Sequence, residues 1–408
     1  MKRILTYILF LSLCTSLLAQ RRTISEVDYR RSSIYSLLIY HAEQDFGKNI
    51  ADVFVDMPIS DKYNDHDLSV KVIQTNSTLP SNEKGEQFLK NNHIAARLVG
   101  RWFNRDPQTG VCDMSLIAQR GLYDASEFKR QLAAQTVRGN AMLEDAGEEL
   151  IHNTFVLVND IVYIDQAPKA QAAGTAMSVF GALLGGVLGA TVGGDVGNAV
   201  NSTTQVAASM VNTIKGFNVK VNTHLYRLKW DEETAQTFYE TMYTDTADVE
   251  KVKTFNQQHD MFQLEYIGSQ LSSGKNISFM GVNLDTPDQM VRKACTRAID
   301  ENIANLARNF EVFKTKVRLV SADPIKAPIG LKENISDKSR FEVLQQVEKD
   351  GRTTYKQVAV IKPVAGQIWD NRFMAGEENA ANADIQYTTF TKVSGGHIDV
   401  GMLIRELK

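Results

Sequence analysis

The chain has 408 residues, of which 43% are hydrophobic and 23% charged, with only 8 prolines; this composition excludes a disordered chain. A formal net charge of -3 and the lack of any long lysine or arginine run exclude bulk nucleic-acid binding, which needs a basic patch or stripe. Once its leader is removed, about 390 residues remain, too many for one compact core of ~100 to 200 residues, so two or three domains are expected.

The first element, residues 1–19, reads as a secretory signal. Lys2 and Arg3 form a short basic start, Ile4 to Leu13 is an almost purely apolar run, and Ser16 to Ala19 supply a cleavage site before Gln20. The apolar run falls short of the ~20 residues that span a bilayer, so removal near Ala19 is expected. Leu13 is bulky where a lipid-modified cysteine would follow a small residue, which argues against lipidation at Cys14. The expected destination is the cell envelope, periplasm or outer membrane. Cys112 and Cys295 survive cleavage, and an exported chain permits a disulfide between them, although sequence alone does not bring them together.

Residues 20–165 together with 216–285 are expected to form one α+β domain. Its first part reads as helical, with Phe46, Ile50, Val53 and Phe54 on one face and Leu89, Ile94, Leu98 and Trp102 on another. A helix from Ser126 to Ile151 follows, weakened by Gly139 and Gly147. Between the first two helices, "DKYNDHD" (Asp61 to Asp67) is the most metal-like cluster, yet its adjacent Asp65, His66 and Asp67 would point in alternate directions. It also lacks the glycine and terminal glutamate of a calcium loop and reads as a solvated turn. Asn153 to Asp165 and Phe217 to Trp230 are rich in β-branched and aromatic residues and read as strands, the first bent near Asn159 and Asp160.

Residues 166–215, lying between those strands, form the most distinctive segment. From Lys169 to Lys215 the sole charge within is Asp195, and Gly181, Gly185, Gly189, Gly193 and Gly197 recur every fourth residue. On a helix such positions stack on one face and cut a smooth groove that a second backbone can approach closely. Small residues at this spacing drive helix association in membranes, where close contact replaces the hydrophobic effect. Ala172 to Val192 would reach about 31 Å as a helix, close to the ~30 Å hydrocarbon core. Gly193 and Gly194 would end this helix and Asp195 would cap a second, with Val196, Val200, Thr203, Ala207, Met210 and Ile214 as a narrow stripe. The expected form is an inserted helical hairpin. It resembles the glycine-zipper segments of exported envelope proteins, including outer-membrane lipoproteins that assemble through such hairpins. The resemblance implies self-association and contact with a membrane, and names no protein partner.

After the insertion, Asp231 to Glu233 open a short helix through Phe238 and Met242, and strands are expected near Met261 to Ile267 and Ile277 to Val282. A connecting helix spans 286–310, with Thr286 as N-cap, Pro287 first, Gln289 reaching back, and one buried face of Val291, Ala294, Ala298, Ile303, Leu306 and Phe310. Residues 311–408 alternate from Phe313 to Leu319 and carry turn signals at Asp350-Gly351 and Gly395-Gly396. Five strands, including hairpins of Phe341–Lys349 with Arg352–Ile361 and Ile385–Val393 with Ile398–Leu403, predict a small barrel or sandwich.

Chemistry is represented mainly by absences: no His-Glu-x-x-His pair, no zinc-spaced histidine or cysteine set, no Gly-x-Ser-x-Gly elbow and no phosphate loop. Glu148 and Glu149 with His152 could pair on a helix but lack a third orienting group. Arg101, Trp102 and Arg105 could stack a sugar or base, though a tryptophan at a helix end is more often core. No catalytic, cofactor or metal residue is therefore assigned. The expected fold class is α+β: an N-terminal α/β domain with the inserted hairpin, a long amphipathic helix and a small β-module. The expected function is a non-enzymatic envelope protein held at a membrane by the hairpin. The alternative is a soluble periplasmic or secreted binding protein whose hairpin packs on its own domain.

Overall fold

The computed structural model describes residues 32–59, 62–75, 77–124, 150–164, 215–278, 287–314, 316–349, 352–375 and 385–407. The expected export signal, the helix expected from Ser126, the five glycines of the expected zipper and Thr286 lie outside the described residues. Within them the chain is a mixed α+β protein with seven helices and two sheets.

The first sheet contains β1 (Ser33–Ile39), β2 (Asn64–Asp65), β3 (Val72–Ile73), β4 (Thr154–Tyr163), β5 (Lys215–Lys229) and β6 (Gln263–Ser278). Its order is β2-β1-β4-β5-β6, with β3 also paired to β1. The partners of β1 are all parallel, whereas β4, β5 and β6 form an antiparallel meander. The helices are α1 (Gly47–Val55), α2 (Ser81–Asn91), α3 (Ile94–Trp102), α4 (Ser115–Asp124), α5 (Glu232–Thr241), α6 (Val249–Gln257) and α7 (Pro287–Asn309). Helices α1 and α7 cover one face, where Leu38, Ile161, Val219 and Val221 pack on Ile50, Phe54, Val291 and Ala294. On the other face Leu37, Val156, Val158 and Leu228 pack on Leu98, Trp102, Phe103 and Phe238.

Strand β1 corrects the reading of the region upstream as mostly helical with connecting loops. Its sequence, SIYSLLI, has no period of two because both faces are covered, and Ile34, Tyr35, Leu37 and Leu38 are all buried. Helix α1 forms as expected, except that Phe46 precedes it in a left-handed conformation and is exposed. The second apolar face is split between α2 and α3 at Asn92 and His93, while Leu89, Ile94, Leu98 and Trp102 are all buried. The two strands expected near Met261 and Ile277 are one, β6, with a register shift where Leu225 faces Gly268 and Tyr226 faces Tyr266.

The solvated-turn reading of Asp61 to Asp67 is overturned at His66, which is fully buried. Its Nε2 donates to the Leu98 carbonyl at 3.0 Å and its Nδ1 accepts from Arg120 at 2.8 Å. Burial, aided by the Arg120 charge, pushes its pKa down to about 3, so the ring is neutral. Trp102 is core: its indole N–H donates to Thr154 Oγ1 at 2.9 Å, and the Arg120 guanidinium lies 4.2 Å from its ring. Cys112 and Cys295 are free and sit in separate cores on opposite faces of the sheet.

Helix α7 begins and ends where the sequence indicates, at Pro287 and Asn309. It is buried on more than one face, because beyond the sheet it also meets the turn at Leu331–Glu333. The second sheet holds β7 (Val317–Arg318), β8 (Ser321–Ala322), β9 (Ile325–Ala327), β10 (Phe341–Lys349), β11 (Arg352–Pro363), β12 (Thr388–Gly395) and β13 (Leu403–Glu406). These seven strands form one antiparallel sheet in the order β7-β13-β10-β11-β12-β9-β8, curled as a half-barrel. The hairpin at Asp350-Gly351 forms, with Lys349 facing Arg352. The second expected hairpin does not: β12 pairs with β11 and β9, while β13 crosses to the far side of β10. Nor does the strand from Phe313 to Leu319 form in full, since Phe313 turns into the first module and stacks on Tyr63 at 5.3 Å.

Candidate functional site

Three places at the edges of this fold combine exposure, charge or a cavity. The first is the root of the inserted segment. Tyr163 near the end of β4 faces Val219 near the start of β5, and the Ile164 amide donates to the Asn218 carbonyl at 2.8 Å. The chain therefore leaves one strand and returns on its antiparallel neighbour. The loop between β1 and α1 is fastened to this root by Gln44, whose amide donates to the Ile161 carbonyl and whose carbonyl accepts from Tyr163 N–H, both at 3.0 Å. Gly47 permits the tight fold of that loop, because a Cβ there would lie 2.3 Å from the His41 carbonyl oxygen. Phe46, Tyr163 and Phe217 make a three-ring collar with centroids 4.9 to 5.3 Å apart. Phe46 remains 42% exposed and Val162, on the other side of β4, 41%.

The second place lies beside the root, on the α2 face. Asp160 accepts from His41 Nε2 at 2.6 Å and from the Ser81 hydroxyl at the start of α2. Burial works to raise its carboxyl, but these two hydrogen bonds and the neighbouring imidazoles outweigh it and hold the group below its ordinary value. Because a carboxylate only accepts, the Ser81 hydroxyl donates to Asp160, and its oxygen lies 3.1 Å from His224 Nε2, which also stands 3.3 Å from Asn222 Nδ2. Burial lowers the pKa of His224 against the opposing pull of Asp160, and its Nδ1 is buried with no partner among the described residues. The Ser81 hydrogen is directed at the Asp160 carboxylate and not at the imidazole, an order that differs from that of a serine activated by histidine.

The third place is a cavity of about 80 Å³ between α7 and the half-barrel. A space of that size holds several waters or one small polar solute. Asp300, Lys332, Lys62 and Glu333 line it on one side and Arg308 and Glu406 on another. Lys332 reaches Asp300 at 3.1 Å, Lys62 pairs with Glu333, and Arg308 bridges Glu406 at 3.1 Å. Burial pushes the Asp300 carboxyl up to about 6, although Lys332 pulls the other way. One of its oxygens is buried without a partner among the described residues. Burial likewise lowers the Lys62 pKa, opposed by Glu333. Asp300 also lines a smaller space of about 30 Å³ toward β1 and α1.

Of the residues singled out from sequence, Gly181, Gly185, Gly189, Gly193 and Gly197 lie outside the described residues, as do Glu148 and Glu149. His152 is exposed beside Asn153, and Arg105 sits 4.1 Å over the Phe255 ring. Asp160, His224 and Asp300 were not anticipated. Only Asp300 leaves a trace in sequence, as an acid beside the apolar stripe of α7, next to Glu301. No family model matches the chain, and no match is found among curated proteins.

Proposed function

We propose that this is a non-enzymatic exported envelope protein that anchors to, or assembles at, a membrane through the glycine-rich segment 166–215. The observation that carries the reading is the register of Tyr163 with Val219. A segment entering and leaving on adjacent antiparallel strands has both ends on one side, which is what a protruding hairpin requires. The glycine spacing supplies a surface for close helix contact, and the exposed Phe46 and Val162 give the root an apolar margin. Among the described residues no helix is long and apolar enough to cross a membrane.

The test is fractionation of the mature protein, washed with high salt and then carbonate, beside a version lacking Gly174 to Ile214. Retention of the intact chain with membranes and release of the deletion would support anchoring. Replacing Gly185 and Gly189 by leucine should abolish assembly, and an unchanged oligomer mass would count against the zipper. Free solubility of both forms would favour the second reading, a soluble periplasmic or secreted binding protein. The cavity at Asp300 supports that alternative as a place for a small solute.

A further inference from the structure

At the end of the β5–β6 pair remote from the insertion, two histidines and an aspartate converge from distant parts of the chain. His93 immediately precedes α3 in a left-handed conformation (φ 47, ψ 42), and His259 and Asp260 form the turn between α6 and β6. His259 Nε2 lies 3.5 Å and His93 Nδ1 3.9 Å from the same Asp260 oxygen, and the two imidazole centroids are 3.5 Å apart. All three potential donor atoms lie within 4.8 Å of one another, and among the described residues this is the one such group of three.

We propose that His93, His259 and Asp260 bind a divalent transition-metal ion, of which Zn²⁺ is the representative. The distances from Asp260 are too long for good hydrogen bonds and suit a shared ion. Tetrahedral zinc with bonds of 2.0 to 2.1 Å separates its donors by roughly 3.3 to 3.4 Å, so small rotations of these surface side chains close the set. The tautomer of His259 is already fixed for ligation. Its Nδ1 lies 2.5 Å from the Asn256 carbonyl, which can only accept, so Nδ1 carries the proton and Nε2 offers its lone pair. The left-handed backbone at His93 is unfavourable for a residue with a Cβ, yet it sets this imidazole against that of His259. Two imidazoles and one carboxylate suit zinc, nickel or copper, and exclude magnesium and calcium, which take oxygen ligands. Three protein ligands leave a fourth position to water. The bound ion would clip the start of α3 to the start of β6.

The test uses the mature full-length protein, stripped with chelator and titrated with zinc chloride by calorimetry. One site per chain is expected, with affinity weakened at least tenfold in each of His93→Gln, His259→Gln and Asp260→Asn, and unaffected by a hundredfold excess of magnesium. Zinc should also raise the melting temperature of the parent by roughly 2 to 4 °C and leave the His93→Gln/His259→Gln double variant unmoved. The substituted side chains are partly or fully exposed, so the variants keep the fold, which circular dichroism without metal checks. No saturable binding, or equal binding by the double variant, overturns the proposal, the latter by placing the ion elsewhere.

Discussion

Asp300 is a buried acid whose carboxyl is pushed from 3.8 to about 6. A raised folded-state value means that the stability gained by keeping the proton is complete below the unfolded value of 3.8. It is lost as the pH climbs through 6, after which the fold carries a desolvated charge. A permanently neutral Asp300→Asn variant escapes that loss. Its advantage over the parent should therefore be about 2 kcal/mol larger at pH 8 than at pH 4.5, as read from urea unfolding at the two values. An equal difference at both would mean that Lys332 neutralises the carboxylate fully. The same residue explains why the apolar stripe of α7 tolerates an acid: it is answered from another module, by Lys332 at 3.1 Å.

Among elements, α7 depends most on the absence of a side chain. A Cβ on Gly274 would stand 1.9 Å from the Ala294 carbonyl oxygen, so the helix lies directly on the backbone of β6. Ser272 donates to the Ala298 carbonyl at 2.7 Å, and Asn302 to the Val221 carbonyl at 2.8 Å, which fixes the helix against two strands. Gly274→Val should lower unfolding free energy by roughly 2 to 3 kcal/mol by prising the two apart. Gly396→Ala, whose new methyl finds its nearest neighbour at 3.9 Å, should change it by less than ~0.5 kcal/mol. The span of this helix, Pro287 to Asn309, was legible because periodicity is local, whereas its burial on more than one face was not. Strand β1 was not, because strands buried on both faces lose the alternation that marks them. The crossing of β13 to β10 was equally hidden, since two glycines suggest a turn without naming the strand that follows as a partner. The pairings around Asp160 and around His259 join residues from separate elements, and no spacing rule in one sequence reaches that far.

At the scale of the molecule, the half-barrel is tied by charge to the turn that follows α7. Arg405 on β13 donates to Glu342 on β10 at 2.5 Å and to Glu311, just beyond α7, at 2.9 Å. Glu342 is buried, so Arg405→Ala would strand a carboxylate inside the half-barrel and should cost about 3 kcal/mol or more. Replacing both Arg405 and Glu342 by leucine should recover most of that loss, since the buried pair itself contributes little net stability. A double-mutant cycle by chemical denaturation measures the difference. Loss of the two in simple sum would show that the residues act independently.

The register at the root of the insertion also has a mechanical meaning. Were segment 166–215 held fast while the half-barrel was pulled away, β4 and β5 would be tugged together, along their own axes, from the same end. The hydrogen bonds resisting that tug would be those to β1 and β6, over seven and fifteen register pairs respectively. Bonds drawn along the strands share the load and fail together, whereas bonds pulled open from one end fail in turn. The first sheet is therefore arranged so that a pull on the inserted segment meets its stiffest direction.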